Sequence, residues 1–254
     1  MHILITNDDG VMAPGIMALA NAFSILGKVT VVAPESEMSG VSHALTFLKP
    51  LFARQLESDS ESICRYAVNG TPADCAKLGI LELCADEPDL VVSGINGGLN
   101  AGINSLYSGT LGGAREASFF EIPSFAVSIE VLQKGKPDLS HLEWASRYSS
   151  EIILKLLELE APKTTLHNIN FPIASLQKPA YRVVPMETQR FNYEFQKGLD
   201  PTGRQYYWTK HSPSDNQRQQ DTDISVLNEG FVSITPMGYD LTDERHLANI
   251  KAVL

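Results

Sequence analysis

Cysteine is scarce in this chain of 254 residues. Cys64, Cys75 and Cys84 contain no C-x-x-C pair and are too few for a disulfide framework, so a reducing compartment is expected. Positive charge is also in deficit: 20 Lys and Arg stand against 30 Asp and Glu, for a formal net charge of −10 and a pI near 5.0. That balance opposes a nucleic-acid polymer or an anionic membrane as partner, while leaving room for a small phosphorylated ligand at one local site. Long apolar runs are missing too. The longest candidate, around Ile152–Leu159, is broken by Lys155 and Glu158, well short of the ~18 residues of a membrane span. Met1–Thr6 leads straight into Asn7-Asp8-Asp9-Gly10 without the basic and apolar regions of a signal peptide, and a cytoplasmic protein is the expectation. No two glycines are separated by a single residue, so G-x-G-x-x-G is absent and a conventional dinucleotide fold is disfavoured. Nor is there a G-x-x-x-x-G-K-[ST], an H-E-x-x-H or a G-x-S-x-G, and the six histidines show no metal-binding spacing.

What is present is an alternation of short apolar strands and helices. Ile3-Leu4-Ile5 reads as a buried strand ending in a turn, and Lys28–Ala33 as a second strand stopped by Pro34. Between them Pro14-Gly15 opens a helix from Ile16 to Leu26, closed by Gly27. Leu45–Val68 has an extended character. Thr71, Pro72 and Asp74 cap a helix reaching about Leu83. Leu90-Val91-Val92 is a third strand, a helix is expected from Thr110 to Phe120, and Ser124–Ser128 is a further strand. Ser140 and Glu143 form a capping box for a long helix with a buried stripe of Ala145, Tyr148, Ile152, Leu156 and Leu159. The pattern predicts a mostly parallel sheet covered on both faces, with ligands bound at the carboxyl ends of its strands.

The second half differs. Phe191, Tyr193 and Phe195 alternate before the turn Asp200–Gly203, and Tyr206 and Trp208 alternate after it, which predicts an aromatic β-hairpin. Ser212–Asp223 is a polar loop, Gly230–Thr235 a strand, and Thr242 caps a last helix to about Ile250. One domain with a projecting arm is preferred to two. Because an isolated hairpin is barely stable in water, burial of the arm in a second subunit is expected, with packing on its own domain as the alternative.

Four loops carry candidate chemistry. Asp8 and Asp9 sit where the first strand has ended; converging, they would form a hard-oxygen site for Mg²⁺, Mn²⁺ or Ca²⁺, and diverging, an ordinary Asx turn. Ser39-Gly40 follows the second strand and offers a hydroxyl and backbone N–H groups, or is a plain surface loop. Ser93–Gly102 holds four glycines with Asn96 and Asn100, allowing close backbone approach and an amide ligand to a hard cation, or is a flexible linker, which rarely falls directly after a buried strand. Tyr107-Ser108-Gly109-Thr110 enters a helix, and so suits either an anion site or simple capping. His43 lies near the second loop, as an assisting or an incidental polar residue.

Taken in order, Ile5–Gly10, Ala33-Pro34 with Ser39-Gly40, Asn69–Cys75, Val92–Asn96 with Gly98 and Asn100, Tyr107–Thr110, and Phe231–Pro236 resemble the SurE family of stationary-phase survival nucleotidases across nearly the whole chain. The resemblance implies a three-layer, Rossmann-like SurE α/β fold with a projecting hairpin arm and a C-terminal helix. Residues 1–254 would form one domain, with a core of about 1–185 and 229–240, an oligomerisation arm of about 186–228 and a C-terminal segment of 241–254. It implies a metal-dependent phosphomonoesterase acting on nucleoside 5′- and 3′-monophosphates, and on short polyphosphate in some members, assembled as a homodimer or homotetramer. Carried over by position, Asp8, Asp9, Ser39 and Asn96 would hold one Mg²⁺ or Mn²⁺ per subunit. Asn100, Ser108, Gly109 and Thr110 would surround the phosphate, with Asp8, Asp9 and Asn100 as the catalytic set. Asn104 and Leu111-Gly112-Gly113 depart from the expected pattern in the outer shell. A different class, a regulatory protein that binds nucleotide without turnover, uses the same anion loops but does not need the paired carboxylates.

Overall fold

The computed structural model describes residues 1–58, 60–131, 138–159, 164–176, 179–189, 192–212 and 219–254. Its main sheet has nine strands. In chain order these are β1 (His2–Thr6), β2 (Lys28–Pro34), β3 (Ala53–Leu56), β4 (Ile63–Val68), β5 (Leu90–Gly97), β6 (Ser124–Ile129), β7 (Leu166–Phe171), β8 (Tyr181–Val183) and β11 (Val232–Met237). The spatial order is β3-β4-β2-β1-β5-β6-β7-β11-β8. The six strands from β4 to β7 run parallel, while β3 and β11 pair antiparallel with β4 and β7. β9 (Asn192–Leu199) and β10 (Gln205–Ser212) form a separate two-stranded sheet.

Alternation along each central strand sorts side chains to two faces, and both are dry. Ile3, Ile5, Val29 and Val31 meet Ile16, Leu19 and Phe23 of α1 (Pro14–Ser24) and Leu142, Ala145 and Ile153 of α4 (Leu139–Leu157). Leu4, Val32, Val68 and Val91 meet Cys75 of α2 (Pro72–Leu78) and Ala117 of α3 (Gly109–Phe119). The result is the predicted three-layer α/β fold.

Several boundaries differ from the sequence reading, each for a local reason. α1 stops at Ser24, two residues short of the expected end. β5 continues past Val92 to Gly97, because a register shift against β6 between Ser93 and Asn96 lets the strand bend and run on. Gly94 makes this possible at φ +140°, where a side chain would drive into the Val127 carbonyl. α4 is capped by Asp138 rather than Ser140: the Asp138 carboxylate accepts from the Ser140 N–H at 2.8 Å and from its hydroxyl at 2.7 Å. Of the expected stripe on α4, Leu159 lies beyond the helix and is exposed, while Ser146 and Ser149 are buried beside Ala145 and Ile152. The last helix, α6 (Glu244–Lys251), is capped by Asp243 and not by Thr242. A short helix, α5 (Asp223–Asn228), closes the polar segment where only loop was expected, with Thr222 as its cap. The hairpin turn at Asp200–Gly203 is as read, Asp200 accepting from the Thr202 and Arg204 N–H groups. Phe191, and 213–218 of the polar loop, lie outside the described residues.

The central strand decides where a ligand can sit. The chain leaves β1 for β2 on one side and later returns as β5 on the other, so the β1/β5 boundary is the topological switch point.

Candidate functional site

At the carboxyl ends of β1, β2 and β5 lies a cleft of about 630 Å³. It is lined by Asp8, Asp9, Glu37, Ser39, Gly40, Asn96, Gly97, Asn100, Asn104, Tyr107 and Ser108. The first wall is the turn after β1. Asn7, fully buried, donates to the Gly10 carbonyl at 3.0 Å and accepts from the Gly10 N–H at 3.2 Å, closing the turn that Gly10 makes at φ +100°. That closure turns Asp8 and Asp9 into one space. The second loop is stitched to it: Met38 N–H donates to the Asp8 carbonyl at 2.7 Å, and Val11 N–H to the Pro34 carbonyl at 2.8 Å.

Asp8 is held from behind by α3. The Thr110 hydroxyl donates to Asp8 Oδ1 at 2.6 Å, and the Thr110 backbone N–H also points at the carboxylate. The helix can come this close because residue 109 is glycine, where a Cβ would stand 2.9 Å from the Asp8 Cβ. Burial pushes the Asp8 carboxyl above the usual range, and the Thr110 hydrogen bonds oppose that rise. Asp9 is pushed up to about 6 by burial and by the charge of Asp8, against a hydrogen bond from the Gly97 N–H. That bond joins the end of β1 to the end of β5, beside Asn96.

The remaining side chains are placed by polar bracing. Asn96 donates to the Gly98 carbonyl at 2.7 Å, which turns its amide oxygen the other way. Asn100 is held on three sides. Its side chain donates to Ser128 Oγ at 2.9 Å, its N–H to Asn170 Oδ1 at 2.8 Å, and its carbonyl accepts from Asn168 at 2.7 Å. Ser108 caps α3 by accepting from the Leu111 N–H at 3.2 Å, so the helix opens at the cleft. Ser39 donates to Glu37 Oε1 at 2.7 Å, leaving its oxygen lone pairs available.

A model of the family described as "Survival protein SurE" matches residues 3–193. The chain belongs to the SurE family. It is 42% identical over 253 residues to the 5'-nucleotidase SurE of Rhodopirellula baltica, covering 99% of this chain and 98% of that one. It is 41% identical to the 5'-nucleotidase SurE of Thermoanaerobacter sp. strain X514, over 98% of this chain and 96% of that one. The crystal structure of the SurE protein from Aquifex aeolicus superposes with a TM-score of 0.83 at 34% identity, covering 100% of this chain and 99% of that one.

Within this SurE fold, six of the eight residues singled out from sequence share the cleft wall: Asp8, Asp9, Ser39, Asn96, Asn100 and Ser108. Gly109 and Thr110 stand behind it. Thr110 is 0% exposed, with its hydroxyl committed to Asp8. His43 is directed away from the cleft and binds Glu116 Oε2 at 2.7 Å, where Lys77 also reaches Oε1 at 2.9 Å. Sequence reasoning missed Glu37, although its place two residues before Ser39 was a usable signal. It also missed Ser128, Asn168, Asn170 and Asp223, whose roles depend on strands and a helix far away in sequence. Among the described residues no group of three or more His, Cys, Asp or Glu is arranged to hold a metal ion. No helix of the described residues is long and apolar enough to cross a membrane.

Proposed function

We propose that this chain is a divalent-metal-dependent phosphomonoesterase. It would hydrolyse nucleoside 5′-monophosphates, with 3′-monophosphates and short polyphosphate as further substrates, as a cytoplasmic homodimer or homotetramer. The observation that carries the reading is the charge of the cleft: its wall has three carboxylates, Asp8, Asp9 and Glu37, and no Lys, Arg or His among the described lining residues. A phosphate dianion would be repelled from such a wall by several kcal/mol unless a cation stood between them. The relatives' name, 5'-nucleotidase SurE, supports the substrate class.

The donor chemistry fits a hard cation. Asp8 and Asp9 supply charge, Asn96 an amide oxygen and Ser39 a hydroxyl oxygen, a set suited to Mg²⁺ or Mn²⁺ rather than to a soft metal. Held by these residues, such an ion would offset the charge of Asp8 and Asp9 and supply Lewis-acid polarisation of a phosphoryl oxygen. The chain's own residues do the rest. Thr110 fixes the rotamer of Asp8. Asn100, braced by Ser128 and Asn170, and Ser108 at the start of α3 meet the phosphoryl oxygens. The Gly97 N–H holds Asp9 in register with β5. Water attacks phosphorus, the P–O bond to the nucleoside breaks, and the nucleoside leaves as its alcohol with inorganic phosphate as the second product.

The test is phosphate release over a panel of nucleoside mono-, di- and triphosphates with Mg²⁺, Mn²⁺ or chelator. Release from monophosphates that depends on added metal and stops with chelator is expected. Absence of release under every metal, with nucleotide still bound, would overturn this reading in favour of a regulatory binder.

A further inference from the structure

The cleft is graded in depth along the segment that enters α3. Thr110, behind the wall, is 0% exposed, Ser108 7% and Tyr107 55%, so the chain passes from floor to mouth within four residues. The Asp8 carboxylate lies at the floor, where it is 4% exposed. At the mouth stands Tyr107, the one aromatic side chain among the described lining residues. Its backbone is pinned rather than loose: the Ser42 N–H donates to the Tyr107 carbonyl at 3.0 Å, and the Ser42 hydroxyl to the Leu106 carbonyl at 2.7 Å. Gly102–Tyr107 is a 3₁₀ turn, in which side chains three apart eclipse, so Asn104 stands on the same side as Tyr107 and also lines the cleft. A half-exposed ring on a pinned backbone above a polar floor is an arrangement that accepts a flat π-system. At about 630 Å³ the cleft has room for more than a phosphate.

We propose that Tyr107 is the platform on which the base of a nucleotide stacks while its phosphate lies at the floor, making this residue the determinant of nucleotides over phosphate esters without a base. This rests on the nucleotidase reading above and adds the residue that selects the substrate. Stacking on one aromatic ring is sequence-tolerant, since every base has a π-face, so the platform favours nucleotides as a class without choosing strongly among bases.

The experiment compares kcat/KM for adenosine 5′-monophosphate with that for ribose 5-phosphate in the parent, Tyr107→Ala and Tyr107→Phe. Loss of the ring should lower the ratio of the two roughly tenfold, carried in KM, while Tyr107→Phe keeps the parental ratio because the π-face remains. An unchanged ratio in Tyr107→Ala, or an equal loss in the phenylalanine variant, would overturn the platform. Calorimetric titration of adenosine, which has no phosphate, reads the same subsite without turnover: binding weakened in Tyr107→Ala and kept in Tyr107→Phe supports the proposal, and equal binding by all three refutes it. If the parent hydrolyses neither ester, the enzymatic reading fails, and the adenosine titration still decides the role of Tyr107.

Discussion

The hydroxyl of Thr110 donates to Asp8 Oδ1 over 2.6 Å although 102 residues separate them in the chain. The contact joins the end of the central strand to the first turn of α3, and Gly109 is the small residue that permits it. Thr110 thus acts through Asp8 and, at 3.4 Å, through Asn100, whose Nδ2 donates to the same hydroxyl, without lining the cleft itself. Thr110→Val should remove a charge-assisted hydrogen bond of about 1.5–3 kcal/mol. With Asp8 freed to rotate, kcat/KM should fall roughly tenfold or more, and Thr110→Ser should keep most of the activity. Steady-state kinetics of both folded variants check this; a valine variant as active as the parent would refute the positioning role.

Asp8→Asn removes one of the three carboxylates facing the cleft while keeping its shape. Metal-dependent phosphate release should fall on the order of 10²-fold or more, by analogy with the loss of a key transition-state contact. Circular dichroism confirms the fold, and retained turnover at the parental rate and metal dependence would remove the proposed site.

Asp9 makes the metal-free protein sensitive to pH. Its carboxyl titrates at about 6 in the folded chain, above the ~4 of an unfolded one, so between these values the folded state binds the extra proton. Metal-free stability should therefore fall as pH rises through this window, with the full penalty present above 6. Asp9→Asn should flatten that slope and stabilise the metal-free protein at pH 7 by on the order of 1–2 kcal/mol. In the parent, protons and metal compete, so Mn²⁺ affinity should weaken as pH drops below 6. Urea titrations in chelator at several pH values provide the measurement, and parallel stability curves for parent and variant would contradict it.

Asp223 is fully buried and accepts from the Gly102 N–H at 2.7 Å, the Glu187 N–H at 2.8 Å and the Ile224 N–H at 2.8 Å. It ties the root of the hairpin segment to the loop that carries Asn100 and Asn104. Asp223→Ala strands these donors and should cost about 3 kcal/mol in a urea titration, with Asp223→Asn milder because one acceptor survives. KM for a nucleoside monophosphate should rise in the alanine variant as the loop loosens; equal stability and KM would dismiss the brace.

The hairpin leaves Phe195, Leu199, Tyr207 and Trp208 exposed, Trp208 at 68%. Phe195, Leu199 and Tyr207 share one face of the two-stranded sheet and Trp208 lies on the other, so both faces present apolar surface suited to a second copy of the chain. Light scattering should give a multiple of the 27.8 kDa chain mass, moving toward the monomer in a Tyr207→Ser, Trp208→Ser variant. A monomeric parent at micromolar concentration would end the idea.

Much of the core was legible because it depends on neighbours in sequence. The apolar runs at Ile3–Ile5 and Leu90–Val92, the Thr71–Asp74 capping box and the Asp200–Gly203 turn involve interactions over a few residues, and each formed where it was expected. Boundaries slipped where a competing acceptor stood close by, as with Asp138 for Ser140 and Asp243 for Thr242. The bend of β5 was hidden because it answers to Val127 on another strand.

The residues by themselves determined the kind of chemistry on offer: paired carboxylates after one strand, hydroxyl and amide oxygens after two others, no basic groups among them, and strand–helix alternation that aims such loops at one sheet edge. Whether those oxygens met was a matter of strand order. Placing β1 between β2 and β5 brought three distant turns around one cleft, and α3 then approached close enough for Thr110 to hold Asp8. Long-range packing sets that order, since a parallel sheet buried on both faces is stable only once every helix has covered its side.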